Sequence, residues 1–287
     1  MLELFSFNLI SSENMFLIFV GLIWIFFAVF QDLKKREVDN IVNFSLIAVV
    51  LAYRLIVSIY INNLSFFING ILGLLIFLAL GNIFYYARLF AGGDAKLLIA
   101  LGTILPLSFN WIDNFKIFGI FILGFLITGS LYVFIWASVL VSQNFKNFKK
   151  EFKLQFKMYK RIFYFAMLIT LLLVFISFLI NQYFFILIGI LFFIFPFLFV
   201  FAKSVEESCM VKSVSPKNLT EGDWLYENLF ISGKKIKSNW EGLSIDEVRF
   251  IQKKSRRNIL IKQGVPFTPS FLFAFIIVIL FGIKGFF

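Results

Sequence analysis

The chain is a succession of long apolar runs broken by short polar stretches. Apolar runs extend from about Met15 to Gln31, Ile41 to Tyr60, Leu64 to Tyr86, Ala95 to Leu105, Ile117 to Val141, Ile162 to Ile180, Tyr183 to Ala202 and Pro269 to Phe286. Crossing the hydrocarbon of a bilayer takes ~20 helical residues. All of these runs approach that length except the short one at Ala95. The pattern predicts a polytopic α-helical membrane protein with about eight transmembrane helices. A membrane β-barrel would need alternating segments of ~10 residues, which the sequence lacks.

One polar stretch is long enough for a unit of its own. Residues 203–268 predict a small cytoplasmic α+β domain before the last helix. Met210 to Ser213 alternates as a strand does, and Leu229 to Ile236 resembles a hairpin with Gly233 in its turn. Ser244-Ile245-Asp246-Glu247 is a capping-box pattern, opening a helix to about Arg257. Ile259 to Ile261 predicts a further strand. The expected organisation is therefore 1–202 as helices 1–7 with their loops, 203–268 as the cytoplasmic domain, and 269–287 as the last helix.

Charge then gives the orientation. Put the polar loop after Gln31, the turn before Ala95, the 142–161 loop and the 203–268 segment on one side. That side then holds all of the 27 Lys and Arg except Arg54, Lys116 and Lys284. The positive-inside rule makes it cytoplasmic and puts both termini outside. Residues 1–14 lack a basic start, so no cleaved leader is expected on this chain. A net charge of +11 can indicate nucleic acid, but these charges flank apolar spans and fit a membrane instead. The basic stretch Lys146 to Arg161 is expected to lie on anionic headgroups. Arg54, inside a span, is expected to snorkel or to serve structure. With one cysteine, Cys209, and no histidine, the chain allows no internal disulfide and no His-based triad. No metal and no cofactor are expected.

Two acids stand apart. Asp32 closes the first apolar run, and Asp94 opens the fourth within Phe90-Ala91-Gly92-Gly93-Asp94-Ala95-Lys96. The topology puts both at the same face. Two carboxylates that can meet are the minimum for aspartyl proteolysis: one takes a proton from water, the other polarises the carbonyl and protonates the leaving amine. Gly92 and Gly93 would let a peptide backbone approach. Asp94 at a helix N-terminus, with Lys96 nearby, is expected to be the anion. Asp32 at a helix C-terminus is expected to be the acid. The half of that assignment that concerns Asp32 requires the first helix to end there. The alternative is an ion- or proton-coupled transporter using Asp32 and Asp94 as its ion site, which should show acids at mid-membrane and inverted repeats.

Asp32-Leu33-Lys34-Lys35-Arg36-Glu37-Val38-Asp39-Asn40 and Ala91-Gly92-Gly93-Asp94-Ala95-Lys96 resemble the motifs of the prepilin peptidases, the GxGD-class membrane aspartyl proteases. The resemblance is nearest to the archaeal prepilin and preflagellin peptidases, and Leu219 to Leu225 and Lys262 to Phe271 add to it. Ala91 stands where the motif has its first glycine. The resemblance implies an endopeptidase in the cell membrane, its active site at the cytoplasmic face. It would remove leaders from type IV pilin-like or archaellin precursors, with Asp32 and Asp94 catalytic. Its partners would be those precursors and the lipid bilayer, not nucleic acid.

Overall fold

Each apolar run folds as a helix, because a backbone in hydrocarbon must bond to itself. The computed structural model describes residues 11–283. Lys284 and most of the stretch examined for a leader lie outside them. Six helices are long and apolar enough to cross a membrane: α1 (Ser12–Lys35, from Glu13), α2 (Asn40–Tyr60), α3 (Ser65–Tyr86), α5 (Trp111–Gln143), α7 (Lys160–Ile180) and α8 (Phe184–Cys209). Among the described residues α10 (Pro269–Ile283) is apolar but shorter, and α4 (Gly92–Leu101) has only ten residues. The protein is a polytopic helical membrane protein with a strand-bearing region before its last helix.

The chain divides into two compact units. The first comprises 1–134 and 265–287, the second 135–264.

The first unit holds α1–α4, the first part of α5, and α10. Its core gathers Leu17, Ile25, Leu46, Phe77, Leu97, Leu101, Phe121, Phe125, Phe271 and Phe275, all at most 1% exposed. Polar ties are few and directed. Asn14 donates from Nδ2 to the Leu107 carbonyl at 2.7 Å, and Trp24 Nε1 donates to Ser45 Oγ at 3.1 Å. Helices α3 and α4 pack backbone to backbone. A Cβ at Gly73 would overlap the Gly102 carbonyl oxygen, and one at Gly102 would stand 2.5 Å from Phe77 Cβ. No larger residue fits at either place without parting the helices.

Arg54 does not snorkel. It is fully buried and turns inward, its guanidinium donating to the carbonyls of Phe66, Thr103, Ile104 and Pro106 at 2.6 to 3.1 Å. Helix α4 stops after ten residues, at Leu101, so carbonyls of the following turn lack helical partners. Arg54 supplies them. The expected structural role holds, and it bears on the site because α4 carries Asp94. Asn69 likewise donates to the Ser108 carbonyl, whereas Asn82 donates within its own helix, to Leu78.

The second unit contains α6 (Phe145–Met158), α7, α8 and the strand-bearing region. Along α6, Phe148 and Phe156 pack on Phe201 and Phe197 of α8, while its lysines stay exposed. Strands β1 (Val211–Val214), β5 (Ile259–Lys262) and β2 (Trp224–Leu225) form an antiparallel sheet in the order β1-β5-β2. Strands β3 (Leu229–Ile231) and β4 (Lys234–Ile236) form the expected hairpin. Its turn residues Ser232 and Gly233 have φ of 47° and 81°, as a two-residue hairpin loop requires. Helix α9 (Ile245–Lys254) opens on the expected capping box of Ser244 and Glu247. Leu219, Leu225, Ile236, Leu243, Val248, Ile251, Ile259 and Ile261 make a small core of its own.

Candidate active site

Asp32 lies inside α1, not at its end. The helix continues to Lys35 and closes when Arg36, at φ 61°, donates its backbone N–H to the Asp32 carbonyl at 2.7 Å. The side chain is 5% exposed. Its Oδ2 accepts two hydrogen bonds from one residue: the Thr268 backbone N–H at 3.0 Å and Thr268 Oγ1 at 2.9 Å. Thr268 immediately precedes α10, and its carbonyl accepts from the Phe271 N–H at 3.0 Å. The carboxylate therefore faces the positive end of a second helix. Arg36 and the Tyr132 hydroxyl on α5 lie within electrostatic reach of it.

Asp94 sits in the first turn of α4, outside the six long spans. The residue keeps part of its surface open, yet protein surrounds its carboxyl. Burial pushes that carboxyl up to about 7, with the negative charge of Asp32 adding to the shift. A hydrogen bond to the Ala91 backbone pulls weakly the other way. The two acids, 62 positions apart in sequence, thus act on one another (94 − 32).

The raised Asp94 carboxyl runs against the expectation that Asp94 is the anion. Its place at a helix N-terminus is as expected, but the other grounds change. Because α1 runs past Asp32, its C-terminal field is offset there by the start of α10 and by the two Thr268 donors. Lys96 does not support an Asp94 anion; its Nζ donates to Asn40 Oδ1 at 2.7 Å, tying α4 to the start of α2. Burial and the nearby charge of Asp32 favour the neutral form of Asp94.

The glycines are used for space. Ala91, extended at φ −69°, is comfortable as an L-residue, so the missing first glycine costs no backbone freedom. A Cβ at Gly92 would meet Tyr85 only at 3.9 Å, and one at Gly93 would touch the Val38 N–H at 3.4 Å. The neighbouring acid Asp39 is bound elsewhere, to Gln31 Nε2 at 2.8 Å.

Four phenylalanines hold the two acidic segments in place. Phe90, four residues before Asp94, packs on Phe125, Phe267 and Phe271 with ring centroids 5.4 to 6.1 Å apart. Phe267 precedes Thr268 directly and also fills the space left by Gly129, where a Cβ would stand 2.8 Å from its ring. Thr268 and Tyr132 were not singled out by the sequence, since neither belongs to an acidic motif. Arg36 stands in the first motif, but nothing in the sequence assigned it a role of its own.

Comparison with known proteins covers part of the chain. Residues 19–142 match the type IV leader peptidase family. A preflagellin peptidase of Methanococcus maripaludis is 28% identical over 124 residues, covering 37% of this chain and 54% of the relative. A preflagellin peptidase of Methanocaldococcus jannaschii is 32% identical over 87 residues, covering 30% of this chain and 37% of the relative. The chain thus spans about half the length of the first relative and over a third of the second. No solved structure matches. The resemblance to prepilin and preflagellin peptidases is borne out for the stretch that contains Asp32, Asp94 and Tyr132; Thr268 lies beyond it.

Proposed function

We propose that this protein is a membrane-embedded aspartyl endopeptidase that removes the short leader from type IV pilin-like or archaellin precursors at the cytoplasmic face. The observation that carries this reading is the electrostatically coupled pair Asp32 and Asp94, lying within the stretch similar to leader peptidases. Gly92 and Gly93 leave room for a substrate backbone beside the pair, and Lys96 braces the helix that carries Asp94.

In the proposed reaction the Asp32 carboxylate takes a proton from water as that water attacks the scissile carbonyl carbon. Asp94, neutral, donates a hydrogen bond to the carbonyl oxygen. The tetrahedral intermediate collapses as the C–N bond breaks and the leaving amine takes a proton from the pair. The charge of Asp32 disfavours a second one on Asp94, so in this reading the pair rests with one negative charge and titrates as a unit. The mechanism uses no metal, and cleavage is expected to survive chelators.

The test is to incubate membranes carrying the protein with a panel of pilin-like and archaellin precursors and to read new N-termini by mass spectrometry. Cleavage at one site between leader and apolar segment supports the proposal. Loss of cleavage on chelation, with recovery on adding zinc, would contradict the two-carboxylate chemistry.

A further inference from the structure

A threonine in front of a helix ordinarily turns its hydroxyl oxygen back to accept from that helix's free N–H groups. Thr268 aims its hydroxyl the other way, across to α1, and its own backbone N–H goes with it. The residue is fully buried, and so are Ser270 and Phe271 just beyond it. Neither donor can exchange its partner for water. Pro269 follows and narrows the backbone of Thr268 to extended conformations, so the pair of donors is held ready.

We infer that Thr268 is the positioning residue of Asp32: its two donors on Oδ2 fix the carboxylate's orientation and hold it as the anion that activates water. The inference rests on the peptidase reading and extends the site beyond the stretch similar to known leader peptidases, to the start of α10. The argument is geometric. A carboxylate on a single-bonded side chain rotates unless both its position and one oxygen are fixed. Two donors on one oxygen do this, and hydrogen bonds to an ion are the stronger kind. The charged and titratable groups facing Asp32 are Asp94 from α4, Arg36 from the end of α1 and Tyr132 from α5. Asp94 disfavours a second negative charge and Arg36 favours one, so neither alone decides which acid keeps the proton. Thr268 breaks that symmetry, because it bonds only one of them.

The test uses the full-length protein in detergent or nanodiscs and compares Thr268→Val with Thr268→Ser. Valine keeps the shape, the backbone N–H and the β-branch but loses the hydroxyl donor. Thr268→Val is expected to lower kcat about 10- to 100-fold, with KM changed less than about twofold. Loss of a donor to the anion disfavours ionisation, so the acid limb of the rate profile should move up by about one pH unit. Thr268→Ser, which keeps the hydroxyl, should stay within about threefold of wild type on both counts. A residue that only packed α10 would lower rate, if at all, without moving the pH limb and without rescue by serine. Should Thr268→Val fail to insert, Thr268→Cys, a weak donor of similar size, must move the limb in the same direction. An unmoved limb in these variants overturns the inference. Asp32→Asn separates the two levels: if it is inactive while Thr268→Val is normal, the peptidase reading stands and the role of Thr268 falls. If Asp32→Asn cleaves normally, the reading itself falls.

Discussion

At the scale of the residue, the decisive contrast is between two acids of one type in two settings. Asp32 receives two donors and the start of a helix; Asp94 receives burial and a like charge. Asp94 is held at about 7, so its proton is lost as the pH rises through neutrality, and cleavage should decline above about pH 7. The same shift has a consequence for stability. A carboxyl raised in the folded state favours the protonated fold, so its contribution is fully present below the ordinary carboxylate range and is lost as pH rises to about 7. Asp94→Asn should therefore raise the unfolding temperature relative to wild type at pH 8 and change it little at pH 4. A variant that unfolds earlier than wild type at pH 8 would contradict the burial of this charge. Space beside Asp94 is testable too. Gly93→Ala should remain active, since its Cβ would stand in ordinary contact with Val38, whereas the branches of Gly93→Val would press on the Val38 backbone and abolish cleavage.

At the scale of the element, α4 is the part on which the site depends, and Arg54 secures the turn that follows it. Removing a buried guanidinium would leave the carbonyls of Thr103, Ile104 and Pro106 without that donor, so Arg54→Met should cost about 3 kcal/mol or more and reduce activity by loosening the helix that carries Asp94. Arg54→Lys should fail nearly as badly, because one ammonium cannot span the same carbonyls. Thermal unfolding and cleavage rates check both, and a stable, fully active Arg54→Lys would refute the account. Much of this level was legible beforehand. Apolar length gave the helices, the Ser-x-x-Glu pattern gave the start of α9, and a Gly between short apolar runs gave the β3–β4 turn. What was not legible was any feature made by residues distant in sequence. The end of α1 beyond Asp32 depends on a left-handed Arg36, and a non-glycine left-handed cap has no strong local signal. The inward turn of Arg54 depends on carbonyls some fifty positions later, and the Thr268 bonds on an apolar segment 236 positions from Asp32.

At the scale of the whole molecule, the distribution of basic residues places residue 235 on the cytoplasmic side in this account. A single cysteine there, in a Cys209→Ser background, should resist membrane-impermeant reagents applied to intact cells; labelling from outside would overturn the orientation. The central claim is that Asp32 and Asp94 act as one catalytic unit, and the most direct measurement is precursor cleavage by Asp32→Asn, Asp94→Asn and the double variant at matched levels in membranes. Asparagine keeps shape and hydrogen bonding but can neither pass a proton nor hold the anion. Each single variant should lose essentially all cleavage while remaining inserted, and the double variant should be no worse than either, because groups that act as a unit fail together. Substantial cleavage by Asp32→Asn or Asp94→Asn would contradict the account.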